Sequence, residues 1–326
     1  MTQPVPLAEI WRGPFLESVH LGHAVIADAQ GDIVASWGDP EAIILSRSAS
    51  KMIQALPLLR SGAADAIGLS DRHLALACAS HSGAAIHTGE VRAWLAELGL
   101  GDSALRCGPQ EPSDRAARDD LILRDKAPCQ IHNNCSGKHA GFLTLTAYLK
   151  ADTEYIDPHH PVQKMVRATY EEVTQEPTLG FGIDGCSAPN FACSLSGMAR
   201  AMAHFAAADQ ASPEARLHRA MRVFPELVAG EGKACTALMR AMGGKVAVKT
   251  GAEGFYTAIL PEKGLGIALK ITDGATRGAE CAIAAILVRL GALEADNPTA
   301  SNFLNQPMLN RAGRDVGWIR AAPTLI

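Results

Sequence analysis

At 326 residues, 48% hydrophobic and 20% charged, the chain can bury a large core and has the composition of a globular protein. A formal net charge of −4 and the lack of any basic tract argue against nucleic acid or an anionic membrane surface as partner. Met1-Thr2-Gln3-Pro4-Val5-Pro6 lacks the basic-then-apolar pattern of a secretory signal, and no stretch approaches the ~20 uninterrupted apolar residues of a membrane span. A cytoplasmic location is therefore expected, where the eight cysteines, none in C-x-x-C pairing, stay reduced. Most of them read as small core residues; Cys135 and Cys186, set among glycines and polar residues, stand apart.

In chain order, residues 18–37 read as a hairpin, His23–Asp28 and Ile33–Trp37 flanking the turn Gln30-Gly31-Asp32. Gly38-Asp39-Pro40 leads to Ser46-Arg47-Ser48-Ala49-Ser50-Lys51, which opens an apolar helical run that Pro57 kinks or ends. An Ala/Leu-rich stretch over 71–79 breaks at Ser80-His81-Ser82-Gly83. Val91, Trp94, Leu95 and Leu98 have helical spacing, and 101–130 reads as loop with short helix. A helix follows His132–His139 over Ala140–Leu149, and another runs from Val162 to Val173. Gly180–Pro189 is too rich in glycine for regular structure, and roughly 194–241 is helical with breaks at Pro213, Pro225 and Gly230. Lys245–Thr250, Gly254–Leu260 and Leu265–Ile271 then form a three-stranded meander, followed by a helix over Arg277–Leu290 and an extended tail beyond Asn297. This order predicts an α+β fold: one antiparallel sheet from N- and C-terminal segments, flanked by helices, with a helical insert. Residues 1–326 read as a single catalytic domain, the sheet part from about 15–45 and 243–292 and the helical part from about 46–242.

The chemistry centres on Ser48-x-x-Lys51, a serine and a lysine on one helical face, one turn apart. Serine is a poor nucleophile until a base takes its proton, and a neutral lysine can do so, as in the penicillin-binding proteins and β-lactamases. On its own the motif reads as well as a helix cap followed by a solvated lysine. Lys249-Thr250-Gly251 strengthens it, because that fold places a K-T-G on the strand beside the S-x-x-K helix, late in the chain and ahead of two further strands and a helix.

The stretches Glu17–His23, Arg47–Lys51, Ala77-Cys78-Ala79-Ser80-His81-Ser82-Gly83 and His132-Asn133-Asn134-Cys135-Ser136-Gly137-Lys138-His139-Ala140-Gly141 closely resemble the L-asparaginase II family, the rhizobial, thermolabile type. The resemblance runs from about Glu17 to Leu290. It implies a serine β-lactamase- and glutaminase-like fold, a homodimer, and hydrolysis of the small molecule L-asparagine to L-aspartate and ammonia. It also implies two Ser–Lys pairs, Ser48 with Lys51 and Ser80 with a strand lysine placed at Lys249, Lys263 being the second choice. Zinc is implied near the site on Cys135, Lys138 and Cys186, a set that spacing alone would not propose.

A lysine acts as base only when neutral, and crowding Lys51, Lys138 and Lys249 into one pocket favours that form for one of them. Ser48 is the expected nucleophile, and analogy with the β-lactamase fold implies that backbone N–H groups of Ser48 and Ala252 hold the oxyanion. Arg47 is a candidate for the substrate carboxylate or a charge-satisfied structural arginine. Asp184 and Asn134 are candidate substrate or metal-side residues. His81, beside Ser80, reads as substrate-binding or, like His132 and His139, as a structural histidine. Two departures from the family pattern stand out: Ser187 where a glycine is expected after the D-G-C block, and Gln110 where a histidine often follows C-G-P. The competing readings are a related amidohydrolase acting on glutamine or a small peptide, and a catalytically silent zinc- or amino-acid-binding protein.

Overall fold

A computed structural model describes residues 3–325. Its strands are β1 (Val5–Arg12), β2 (Phe15–Ala27), β3 (Ile33–Trp37), β4 (Ile43–Leu45), β5 (Phe181–Ile183), β6 (Pro189–Ser194), β7 (Ala247–Gly251), β8 (Phe255–Leu260), β9 (Leu265–Ile271), β10 (Gln306–Leu309) and β11 (Asp315–Ala321). The chain divides into two compact units. One takes residues up to Ala49, Cys193–Ala207 and from Ala237 onward; the other takes Ser50–Ala192 and Ala208–Thr236. Among the described residues no helix is long and apolar enough to cross a membrane.

The first unit is built on an eight-stranded antiparallel sheet in the order β10-β11-β1-β2-β9-β8-β7, with β3 paired to β2. The expected α+β fold, with N- and C-terminal segments sharing one antiparallel sheet and helices against it, is therefore what the chain adopts. All six residues of β8 are buried, as befits a strand covered on both faces, while β7 forms one edge of the sheet. Helices Leu195–Ala207 and Thr276–Arg289 pack on the sheet and supply much of its apolar cover.

The expected hairpin is present, with Ala24 opposite Trp37 and Ala27 opposite Ile33. Its first strand begins earlier than expected, at Phe15, and a strand that the sequence reading passed over, β1, precedes it. The tail beyond Asn297 is not an extended segment. Asn297 caps a short helix, Pro298–Leu304, by accepting the Thr299 N–H at 2.9 Å, with Pro298 at the first helical position, where a missing N–H costs nothing. β11 then returns to pair with β1, Ala321 facing Ala8. Within the glycine-rich 180–189 segment, Phe181–Ile183 forms a short strand, paired antiparallel with β6.

The second unit is helical. At its centre lies the helix Lys51–Arg60, in which every residue from Lys51 to Leu59 is buried, so it has no polar face. Helices Ser136–Leu149, Pro161–Thr174 and Pro213–Val223 surround it. Pro57 lies inside the helix without ending it; the helix stops at Arg60, whose guanidinium is held by Glu172 at 2.7 Å and Glu214 at 2.5 Å. Proline breaks appear where expected, Pro213 and Pro225 each starting a new helix.

Candidate active site

In the first unit, β4 delivers the chain to a tight turn at Ser46–Ala49. The Ala49 N–H donates to the Ser46 carbonyl at 3.0 Å, and Arg47 takes a left-handed φ of +50°, a conformation that costs a non-glycine residue about 1 kcal/mol. Ser48 sits half-buried in the 3₁₀ turn Arg47–Ser50 that follows. This turn rests on the end of β7. A Cβ at Gly251 would stand 2.5 Å from the Ser46 carbonyl oxygen, so the glycine of Lys249-Thr250-Gly251 is what lets the two backbones meet. Lys249 is 1% exposed and donates its Nζ to the Thr250 carbonyl at 2.9 Å; Lys263, the second choice for this role, is exposed in the 3₁₀ turn Pro261–Lys263. Ala252 is exposed in the turn after β7.

In the second unit the side chain of Lys51, fully buried at the head of its helix, reaches the end of the helix Asp71–Ala77. Its Nζ donates to the Ala79 carbonyl and, at 2.9 Å, to the Ser80 hydroxyl. Ser80 is anchored by its own N–H, which donates to the Val228 carbonyl at 2.8 Å. The next residue is locked more tightly. Ser136 gives its hydroxyl proton to the Ile131 carbonyl at 2.9 Å, so it accepts from His81 Nε2 at 2.9 Å, while His81 Nδ1 accepts the Gly83 N–H at 3.1 Å. Both ring nitrogens are committed in one neutral tautomer, and burial pushes the His81 pKa well below its ordinary value. His81 is thus a structural brace behind Ser80.

The block Asn133–Lys138 turns into the helix Ser136–Leu149, and its polar residues are occupied by the fold. Asn133 donates to the Cys107 and Gly108 carbonyls at 2.9 and 3.0 Å and accepts the Cys135 N–H at 2.9 Å. Asn134 accepts from the Cys135 thiol at 3.0 Å. Gly137 permits a close crossing: a Cβ there would lie 2.4 Å from the Leu76 carbonyl, in the last turn before Ser80.

Cys135, Lys138 and Cys186, each no more than 3% exposed, converge in this unit. Lys138 Nζ donates to Cys186 Sγ at 3.0 Å, and the one Cys135 S–H, shared with Asn134 Oδ1, also faces the same sulfur. The hydrogen bond from Cys135 pulls the Cys186 pKa down to about 4, against burial and with help from Lys138. The same hydrogen bond, with burial, pushes Cys135 up to about 12. Burial disfavours the charged Lys138, but the sulfurs of Cys186 and Cys135 outweigh it and raise its pKa. Asp184, half-buried, adds to that field and accepts the Gly185 N–H at 2.7 Å. Two soft sulfurs and an amine, buried and mutually in contact, fit a zinc ion once the remaining protons leave. Among the described residues no group of three or more His, Cys, Asp or Glu forms a metal cluster.

Each unit therefore gathers part of the set. Ser48, Lys249, Arg47 and Ala252 belong to the first; Lys51, Ser80, His81, Asn134, Cys135, Lys138, Asp184 and Cys186 belong to the second. Sequence reasoning passed over the roles of Ser136 and Asn133 and marked Gln110 only as a departure from the family pattern. Gln110 accepts the Asn134 N–H at 3.0 Å and so steadies the Cys135 loop from the position where a histidine is common. The one sequence signal for Ser136 and Asn133 was their place in an unbroken polar block that nevertheless leads an apolar helix.

An α+β protein with a serine turn on a sheet edge, and a buried lysine on a second serine, is the class these features define. The chain belongs to the L-asparaginase II family, whose model matches residues 8–321. Comparison with curated proteins gives no match. Solved structures similar in fold include Mglu in its Tris and glutamate form, at 12% identity and a TM-score of 0.49, covering 91% of this chain and 64% of that one. The chain thus spans less than two thirds of the Mglu chain. A β-lactamase from Mycobacterium bovis matches at 11% identity and a TM-score of 0.39, with coverage of 89% and 97%. The octameric penicillin-binding protein homologue from Pyrococcus abyssi matches at 15% and 0.34, with coverage of 85% and 75%. All three scores lie below 0.5, too low to bear on chemistry.

Proposed function

We propose that this protein is an amidohydrolase that converts L-asparagine to L-aspartate and ammonia by serine–lysine acyl transfer. The observation that carries the reading is the 2.9 Å hydrogen bond from the buried Lys51 amine to Ser80. A lysine amine in direct contact with a serine hydroxyl is placed to take up and return that hydroxyl's proton. Family membership supports the same reaction class.

In this scheme Ser48 Oγ attacks the side-chain amide carbon of the substrate, its proton passing to Lys51. The tetrahedral oxyanion is held by backbone N–H groups of Ser48 and Ala252. The C–N bond breaks as the amine returns a proton to the leaving nitrogen, which departs as ammonia. Water then cleaves the aspartyl ester and restores the Ser48 hydroxyl. Ser80 relays protons or positions substrate, and Lys249 stands as its second amine. Arg47 is the proposed holder of the substrate carboxylate. Zinc would be held by Cys135, Lys138 and Cys186 and would supply a fixed positive charge for orienting substrate. A cytoplasmic homodimer completes the proposal, to be checked by light scattering and cell fractionation.

The test is ammonia release from asparagine and from glutamine, with and without added zinc. Asparagine turnover that disappears in Ser48→Ala is the expected result. Faster turnover of glutamine would reassign the substrate. Asparagine binding with no turnover, unchanged in Ser48→Ala, would make the protein a silent binder.

A further inference from the structure

We propose that Thr257 is a positioning residue for Ser48, an inference that rests on Ser48 as the proposed nucleophile and adds what holds it in place. Thr257 lies on β8, opposite Lys249 on β7, and is fully buried. Its hydroxyl donates to the Ala49 carbonyl at 3.1 Å, with the Lys249 carbonyl a second acceptor at 3.4 Å. One proton is thus shared between the turn that presents Ser48 and the strand that carries Lys249.

The turn needs such a hold. Arg47 is kept at φ +50°, and a strained residue relaxes unless its surroundings prevent it. Among the contacts that oppose relaxation, one lies at each end of the turn. Gly251 closes on the Ser46 carbonyl, and the Thr257 hydroxyl grips the Ala49 carbonyl. Because Thr257 has no exposure, water cannot replace its hydroxyl when it is removed. Valine matches threonine in shape and suits a strand, so Thr257→Val deletes the grip with little else. The hydroxyl acts through the backbone of Ala49 rather than on substrate, so its loss should slow attack without weakening binding.

The experiment compares wild type, Thr257→Val and Thr257→Ser in the full-length protein. It measures kcat and KM for asparagine, and the rate at which a fluorophosphonate probe labels Ser48, located by peptide mass. The expected result for Thr257→Val is a roughly tenfold fall in kcat and in labelling rate, with KM within about twofold. Thr257→Ser should restore both. Gly251→Ala serves if Thr257→Val does not fold, and should lower kcat and labelling alike by pushing on Ser46. Wild-type kcat and labelling in Thr257→Val, a change in KM alone, or no rescue by Thr257→Ser would overturn the inference while leaving the asparaginase reading intact. Ser48 labelling without asparagine turnover in wild type would overturn the substrate reading, and the labelling ratio alone would then decide the role of Thr257. Neither labelling nor turnover would overturn both.

Discussion

Lys51, at the head of its helix, and Ser80, in the loop after the helix Asp71–Ala77, meet through a hydrogen bond of 2.9 Å inside the helical unit. If that contact works in catalysis, removing either partner disables one shared function. Lys51→Met and Ser80→Ala are each expected to lower kcat for ammonia release by about 10²- to 10⁴-fold. The double variant should be no worse than the poorer single one, because groups acting as a unit are not additive. Melting temperatures taken alongside separate lost chemistry from lost fold. Independent, multiplicative losses would mean that the two side chains serve different steps.

The thiol–amine cluster makes a prediction about metal content. Wild-type protein dialysed against zinc and then against buffer should retain about one zinc per chain by elemental analysis. Cys186→Ala should lose most of it, since its sulfur touches both of the other donors. Equal zinc in the two proteins would place the metal elsewhere. Retention of zinc by Lys138→Met would show that the sulfurs need no amine.

Ser187, the residue after Cys186, offers a test of backbone strain read as stability. It has φ +68° in the turn between Asp184 and Ala188, where its N–H donates to the Asp184 carbonyl at 2.8 Å. A side chain in that region is strained, and glycine is the residue the family resemblance leads one to expect there. Ser187→Gly is expected to raise stability by about 1 kcal/mol, offset in part by the freer unfolded chain, and to raise Tm by about 2 °C in calorimetry. A lowered Tm would show that the serine side chain contributes more than its backbone costs.

His218 sets an acid limit. Burial, with Arg222 and Arg219 nearby, pushes its pKa down to about 4 from an ordinary value of 6.5, so it is neutral in the folded protein at pH 6. As pH falls below about 6.5 the unfolded chain takes up the proton first, and stability is lost progressively until about pH 4, by up to about 3 kcal/mol. His218→Leu, which also removes an Nδ1 lacking a partner, should flatten the fall in urea midpoint between pH 6.5 and pH 4. An unchanged slope would assign the acid sensitivity to other groups.

Where periodicity was strong, the sequence was readable. β7, β8 and β9 alternate with turns rich in glycine, and the helices beginning at Pro161, Pro213 and Pro225 announce themselves by proline at the first turn. β1 was missed because Val5–Arg12 mixes charge with apolar residues; its strand character comes from pairing with β2 and β11, which no local pattern reveals. The tail was misread for the same reason. At the site, motif spacing singled out Ser48 and Lys51, with Lys249-Thr250-Gly251 in support, because those residue types carry unusual chemistry; Ser80 and the thiol–amine set entered through the family resemblance, not through spacing. Thr257 was invisible, because a threonine in a strand is ordinary, and Ser136 was marked only by its place in the polar block; their buried partners distinguish them.

The pairing of Ala8 with Ala321 bears on biosynthesis. Strand β1 leaves the ribosome on the order of tens of seconds before the neighbour that seals one of its edges, because nearly the whole described chain lies between them. The helical unit, largely made of Ser50–Ala192, can condense in the meantime. Nascent chains arrested before Asp315 should therefore expose an unsealed strand, making the sheet the portion most dependent on chaperones during translation.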